Sequence, residues 1–212
     1  MKDNINIYGW YFLIAAIIGD VLVSWLFSLF YGDYSNLKMS ISALGNPQSP
    51  VRLPFNIWMF TEGILFLLAL PALYKYYHPV AGRITNTMIA FIAFFAIGAC
   101  IFTSFFSVNE SKEIVTIASK IHGVGSVLGF ILFLFVPLLV AILSFNNREN
   151  IIGYVSILCF VVAIIFFILF IMADKERFSN TIVDNEGLWQ RLNLIFMYAP
   201  LVIVAVRRIL EA

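Results

Sequence analysis

Six long apolar stretches alternate with polar connections along this chain, over roughly 8–30, 55–74, 87–106, 121–144, 151–172 and 188–209. A helix rises about 1.5 Å per residue and needs about 20 apolar residues to cross a bilayer. Each stretch is long enough. Each is continuously apolar instead of alternating, which selects helices over a barrel, because lipid leaves only those two ways to satisfy the backbone. The pattern predicts an all-α polytopic membrane protein, a single domain built as a bundle of six transmembrane helices. Tyr8, Trp10, Tyr11, Trp58, Tyr74, Tyr76, Tyr77 and Trp189 fall near stretch ends, as an interfacial aromatic belt would.

The connections are unequal. Those on the side of the N-terminus, 75–86 and 145–150, are short, whereas 31–54 on the opposite side is the longest. A loop of that length carries structure of its own or a function. Within it, Ser40-Ile41-Ser42-Ala43-Leu44-Gly45-Asn46-Pro47 reads as a short half-helix at the membrane surface, stopped by Gly45 and Pro47. Before the fourth stretch, Ser107, Val108, Asn109 and Glu110 have capping-box spacing, and Ile114, Ile117 and Ile121 share a helical face. The fourth helix is therefore expected to start early. The halves of the chain show no convincing internal repeat.

The polar interruptions are few and lopsided. Asp20 sits at the middle of the first stretch, and Asp20, Ser24 and Ser28 recur every four residues as one stripe. Lipid would not satisfy that stripe, so it should face the bundle interior. Counted from the side opposite the termini, Asp20 lies about 15 Å deep, Glu62 about 10 Å, Arg191 about 5 Å and His122 at the surface. A carboxylate at a helix centre costs about 2.5 to 3.5 kcal/mol on insertion scales, so each acid must be protonated, paired or wet. Arg191 is the expected partner of Glu62. That pair would either pin helices together or belong to a site. Ionisable groups inside a membrane are functional candidates by default.

Composition agrees with the pattern. Only 12% of residues are charged, half the usual share of about 25%, while 62% are hydrophobic. The net charge of +1 gives no reason to expect a nucleic-acid partner. Cys100 and Cys159 fall inside apolar stretches and read as buried thiols, with no disulfide framework implied. The first stretch is too long for a signal-peptide core, contains Asp20 and lacks a cleavage site, so a retained span is expected. Basic residues divide evenly between the two sides. The short loops hold Lys75, Arg83 and Arg148 close to the spans, which favours both termini in the cytoplasm of a multi-pass cell-membrane protein.

Specific chemistry is thinly signalled. His122 and Ser126 stand one turn apart, and such a pair can support a serine hydrolase or acyltransferase with Glu62 or Asp20 as orienting acid; Ser42 is a second candidate nucleophile. Gly125 and Gly129 have small-xxx-small spacing and read as close helix packing. His78 lies on the opposite side from His122, so no metal or haem site is expected, and no phosphate or dinucleotide motif calls for a cofactor. Asn109-Glu110-Ser111 matches a glycosylation sequon, a pattern common by chance. Trp189, Arg191 and His122 are placed to meet a lipid phosphate at the surface.

Several short motifs together resemble a known family. Ser40 to Gly45 with Pro47, Phe55-Asn56 opening the second stretch, Ile121-His122-Gly123 opening the fourth and Gly187-Leu188-Trp189-Gln190-Arg191 opening the sixth look like the prokaryotic six-span membrane family catalogued as domain of unknown function 998. A fainter similarity runs to the DRAM and FRAG-type membrane proteins, through the Ile-Ser loop and His122, Ser126 and Phe130. Those relatives imply lipid handling. The expectation is a polar pocket open to one side, lined by Asp20, Ser24, Ser42, Asn46, Asn56, Glu62, His122, Ser126, Trp189 and Arg191, with a membrane lipid or small amphiphile as ligand. A proton-coupled transporter using Asp20 and an intramembrane hydrolase are the alternatives.

Overall fold

The computed structural model describes residues 2–108 and 116–212, with side chains from residue 7 onward. Seven α-helices follow one another among the described residues: α1 (Lys2–Ser28), α2 (Arg52–Phe94), α3 (Thr103–Phe105), α4 (Ile117–Leu134), α5 (Val136–Asn146), α6 (Asn150–Ala173) and α7 (Glu186–Leu210). A π-helical segment, Phe95–Phe102, joins α2 to α3, and 3-10 turns occupy Ile41–Gly45 and Glu176–Phe178. There is no strand among the described residues.

Five helical stretches are long and apolar enough to cross a membrane: Ile7–Ser28, Arg52–Phe105, Ile117–Asn146, Asn150–Ala173 and Glu186–Leu210. The sequence pattern predicts six because it places a loop at 75–86, where the structure keeps helical backbone. The resulting stretch of 54 residues would be about 80 Å long if straight. It is not straight. Ala81 takes φ −157° and ψ 85°, two residues after Pro79, whose ring removes a helical donor and clashes with the preceding turn. The chain doubles back there. Phe60 meets Phe105 and Phe66 meets Phe95 edge to face, with centroids 5.7 and 5.6 Å apart, and Asn56 lies 3.5 Å from Ser107. A Cβ on Gly63 would collide with the Ala96 carbonyl oxygen at 2.7 Å, so this glycine sets how closely the two arms approach.

Glycine also sets the next contact. Gly98 on the π segment and Gly125 on α4 face each other so tightly that a Cβ on either would lie 2.7 Å from the other's carbonyl oxygen. Gly129 packs one turn on against Phe95 and Ala99. The small-xxx-small spacing in α4 thus does what it predicts. Helix α4 begins at Ile117, four residues before the apolar stretch, as expected. Its cap is Thr116, whose hydroxyl accepts from the Ser119 amide at 3.1 Å while the Ser119 hydroxyl accepts from the Thr116 amide at 2.9 Å. Asn109, Glu110 and Ser111, of the other capping box and the sequon, and Ile114, of the apolar face, lie outside the described residues.

The long loop is built around Arg191. Its Nη1 donates to the carbonyls of Asn36, Gly187 and Met39 at 2.9, 2.9 and 3.2 Å, and its Nη2 donates to the Tyr34 hydroxyl at 2.6 Å and to Asn36 Oδ1 at 2.8 Å. The Leu188 amide donates to the Leu37 carbonyl and Gln190 Oε1 accepts from the Ile41 amide. Gly187 has no room for a side chain between the Met39 and Asn36 carbonyls. The half-helix is present as the 3-10 turn, and Asn46 leaves it in extended conformation (φ −68°, ψ 159°), as a residue before proline must. Trp10 and Tyr77, expected in the aromatic belt, are core residues instead; Tyr8, Tyr11 and Tyr74 are exposed.

Candidate binding site

A cavity of about 450 Å³ opens between the helices beneath the long loop. Asp20 comes from α1, Asn56, Met59 and Glu62 from the first arm of α2, Phe95, Ala99 and Cys100 from the π segment, His122, Ser126 and Phe130 from α4, and Gln190 and Leu194 from α7. Ser40, Ser42 and Gly45 of the loop cover it.

The polar groups concentrate at depth. The stripe on α1 is buried throughout, at Asp20, Ser24 and Ser28. Asp20 Oδ2 accepts from the Tyr198 hydroxyl at 2.9 Å. Glu62 is only 1% exposed, faces the Cys100 thiol, and its Oε2 has no hydrogen-bond partner among the described residues. A buried acceptor without a donor is costly, and Oε2 is left so among the described residues.

His122 is buried near the loop end. Its Nδ1 lies 2.8 Å from the Phe106 carbonyl oxygen. A carbonyl can only accept, so Nδ1 carries the hydrogen. Ser126 lines the cavity one turn on, and no hydrogen bond joins it to His122 among the described residues.

The cavity is closed toward the chain termini. Phe66, Phe95, Phe133 and Tyr198 form a buried layer of rings below the acids, with centroids 4.4 to 6.3 Å apart. Beneath it lie fully buried Leu13, Leu73, Met88, Ile92, Leu143 and Leu201. At the far end Glu149 accepts from the Tyr76 hydroxyl at 2.7 Å and pairs with Arg207 at 3.0 Å. The cavity is open sideways, however. Helices α4 and α6 hardly touch, and Val127, Ile131, Phe167, Phe170 and Ile171 border the gap between them. Val127 is 56% exposed and Ile171 47%, so the gap faces whatever surrounds the bundle.

The structure brings together six of the ten residues singled out from the sequence: Asp20, Ser42, Asn56, Glu62, His122 and Ser126. The other four stand outside the cavity. Ser24 returns its hydroxyl to the Asp20 carbonyl at 2.6 Å. Asn46 closes its own turn, accepting from the Gln48 amide at 2.8 Å. Trp189 donates to the Val183 carbonyl at 2.9 Å and stacks on Phe166. Arg191 does not pair with Glu62. Its fork is taken up by four acceptors of the loop, two of them backbone carbonyls that need donors in an irregular segment, and by the Gly187 carbonyl of its own helix. Gln190, Cys100 and Tyr198 were not singled out. Gln190 lies within the motif from Gly187 to Arg191, and Tyr198 is the one hydroxyl in the middle of the last apolar stretch, so both carry a signal in the sequence.

One titration follows from the loop. Burial pushes the Tyr34 phenol up, and the neighbouring Arg191 cation offsets part of that rise. A group raised in the folded state keeps its contribution below its ordinary value, about 10 for tyrosine, and loses it as pH climbs through the folded value. Unfolding followed from pH 8 to pH 11 is therefore expected to show wild type losing stability relative to Tyr34→Phe above about pH 10; parallel curves would contradict this.

The fold and the cavity define a multi-pass helical membrane protein with a pocket sealed at one end. The family model described as Protein of unknown function (DUF998) matches residues 14–207, and the chain belongs to that family. No curated protein matches it, and no solved structure does.

Proposed function

We propose that this protein holds a membrane lipid or a small amphiphile in the one-sided cavity, and that it does so in the cell membrane with six crossings and both termini cytoplasmic. The hairpin at Ala81 supports the sixth crossing. The observation that carries the binding reading is the course of the cavity. It joins a floor bearing Asp20 and Glu62 to a gap between α4 and α6 bordered by exposed apolar side chains. A head group would sit on the floor and its chain would leave through the gap. The volume falls in the range of about 300 to 1,000 Å³ typical of ligand sites.

The ring layer of Phe66, Phe95, Phe133 and Tyr198 stands across any route from Asp20 to the opposite side, which weighs against a proton-coupled transporter. A serine hydrolase using Ser126 or Ser42 would need His122 oriented by an acid, and its Nδ1 is engaged by the Phe106 carbonyl instead.

Val127→Trp would put an indole across the gap at a position with room outside. Native mass spectrometry of gently solubilised protein is expected to show a bound lipid in wild type and in the control Leu22→Trp on the outer face of α1, and its loss in Val127→Trp. Equal occupancy in all three would sink the reading.

A further inference from the structure

We propose that the occupant carries a protonated amine, an ammonium seated against Glu62 and Asp20, with its hydrocarbon chain leaving between α4 and α6. This rests on the binding reading above and names the class of head group. Among the described residues, the cavity wall includes the buried acids Asp20 and Glu62 and no lysine or arginine. The one basic side chain that the sequence places near Glu62, that of Arg191, is turned away and taken up by the loop. Glu62 lines the cavity, and its buried Oε2 has no donor among the described residues.

Two carboxyl groups in one low-dielectric cavity cannot both be ionised without a compensating cation. An ammonium supplies that charge and three donors with no acceptor to be satisfied. One donor suits Glu62 Oε2 and a second suits Asp20, whose Oδ2 already holds the Tyr198 hydroxyl. An alcohol head brings one donor and no charge. A carboxylate or phosphate head is repelled by the same wall, which is discrimination by a built-in clash.

Free long-chain amines and aminophospholipids share this chemistry, and the test separates them. Purified protein in neutral detergent is offered hexadecylamine, hexadecanol and hexadecanoate in competition, and occupancy is read by native mass spectrometry. Wild type is expected to favour hexadecylamine over hexadecanol by about ten-fold, the worth of one charge-assisted hydrogen bond. Glu62→Gln is expected to bring the two to parity while hexadecanol still binds. A parallel reconstitution into phosphatidylethanolamine and phosphatidylglycerol nanodiscs identifies the source: retained phosphatidylethanolamine points to a membrane lipid, and hexadecylamine binding alone to a free amine. Equal binding of amine and alcohol by wild type, or preference for hexadecanoate, overturns the ammonium assignment while leaving the cavity reading in place, provided Val127→Trp still blocks the bound chain. If no chain binds in a manner sensitive to Val127→Trp, the cavity reading itself falls and the assignment with it.

Discussion

Arg191→Ala is expected to lower the unfolding free energy by about 3 kcal/mol and to open the loop between α1 and α2 to protease. The guanidinium holds the Asn36, Met39 and Gly187 carbonyls, the Tyr34 hydroxyl and the Asn36 side chain at once. Hydrogen bonds from a charged donor contribute about 1.5 to 3 kcal/mol each, but acceptors sharing one side chain do not add. Partial exposure brings the sum down further. Arg191→Lys should lie close to alanine, because an ammonium on a flexible stem cannot reproduce the planar fork. Thermal unfolding in detergent with limited proteolysis measures both effects. The same experiment separates the observed arrangement from the Glu62–Arg191 pair suggested by their depths. If the two were partners, Glu62→Gln would relieve much of the damage in Arg191→Ala. With Arg191 committed to the loop, the two substitutions are expected to be nearly additive.

Gly125→Val or Gly98→Val is expected to cost about 3 kcal/mol or more and to loosen α4 from the π segment. In most cores an added methyl group displaces a side chain that can turn aside. Here the group in the way is a backbone carbonyl on the facing segment, 2.7 Å from where the new Cβ would stand. Two helical backbones must separate to admit it, and Phe95, Ala99 and Cys100 would move away from Phe130 and Ser126 across the cavity. Gly123 has nothing within 4 Å of an added Cβ, so Gly123→Ala should be silent. Denaturant titration of the three variants checks this. Equal tolerance at 98, 123 and 125 would contradict the close approach.

What the sequence made legible follows from periodicity. The apolar stretches, the Asp20, Ser24 and Ser28 stripe and the glycine spacing in α4 are one-helix patterns: the stretches are helical, though they make five spanning helices and not six, and the stripe and the glycines lie on the inward faces they implied. The loop motif around Ser40 and the motif from Gly187 to Arg191 were both visible, but not that they lock together, because the demand of irregular carbonyls for donors leaves no trace in residue order. The connection expected at 75–86 is present as a sharp turn at Ala81 (φ −157°, ψ 85°), two residues after Pro79, with helical backbone on either side in place of an irregular loop. The gap between α4 and α6 depends on how two helices are held apart by the rest of the bundle, and neither helix announces it.

The central claim is that a hydrocarbon chain enters the bundle between α4 and α6 and ends beside Glu62. A lipid carrying a diazirine near its head group, fed to cells and photolysed in the intact membrane, tests it most directly when the adducts are mapped by peptide mass spectrometry. Adducts are expected at buried Cys100 and at half-buried Met59 and Phe130, which line the cavity, and are expected to disappear in Val127→Trp. Adducts confined to outward-facing residues such as Leu22, Trp25 and Phe102, unchanged by that substitution, would contradict it.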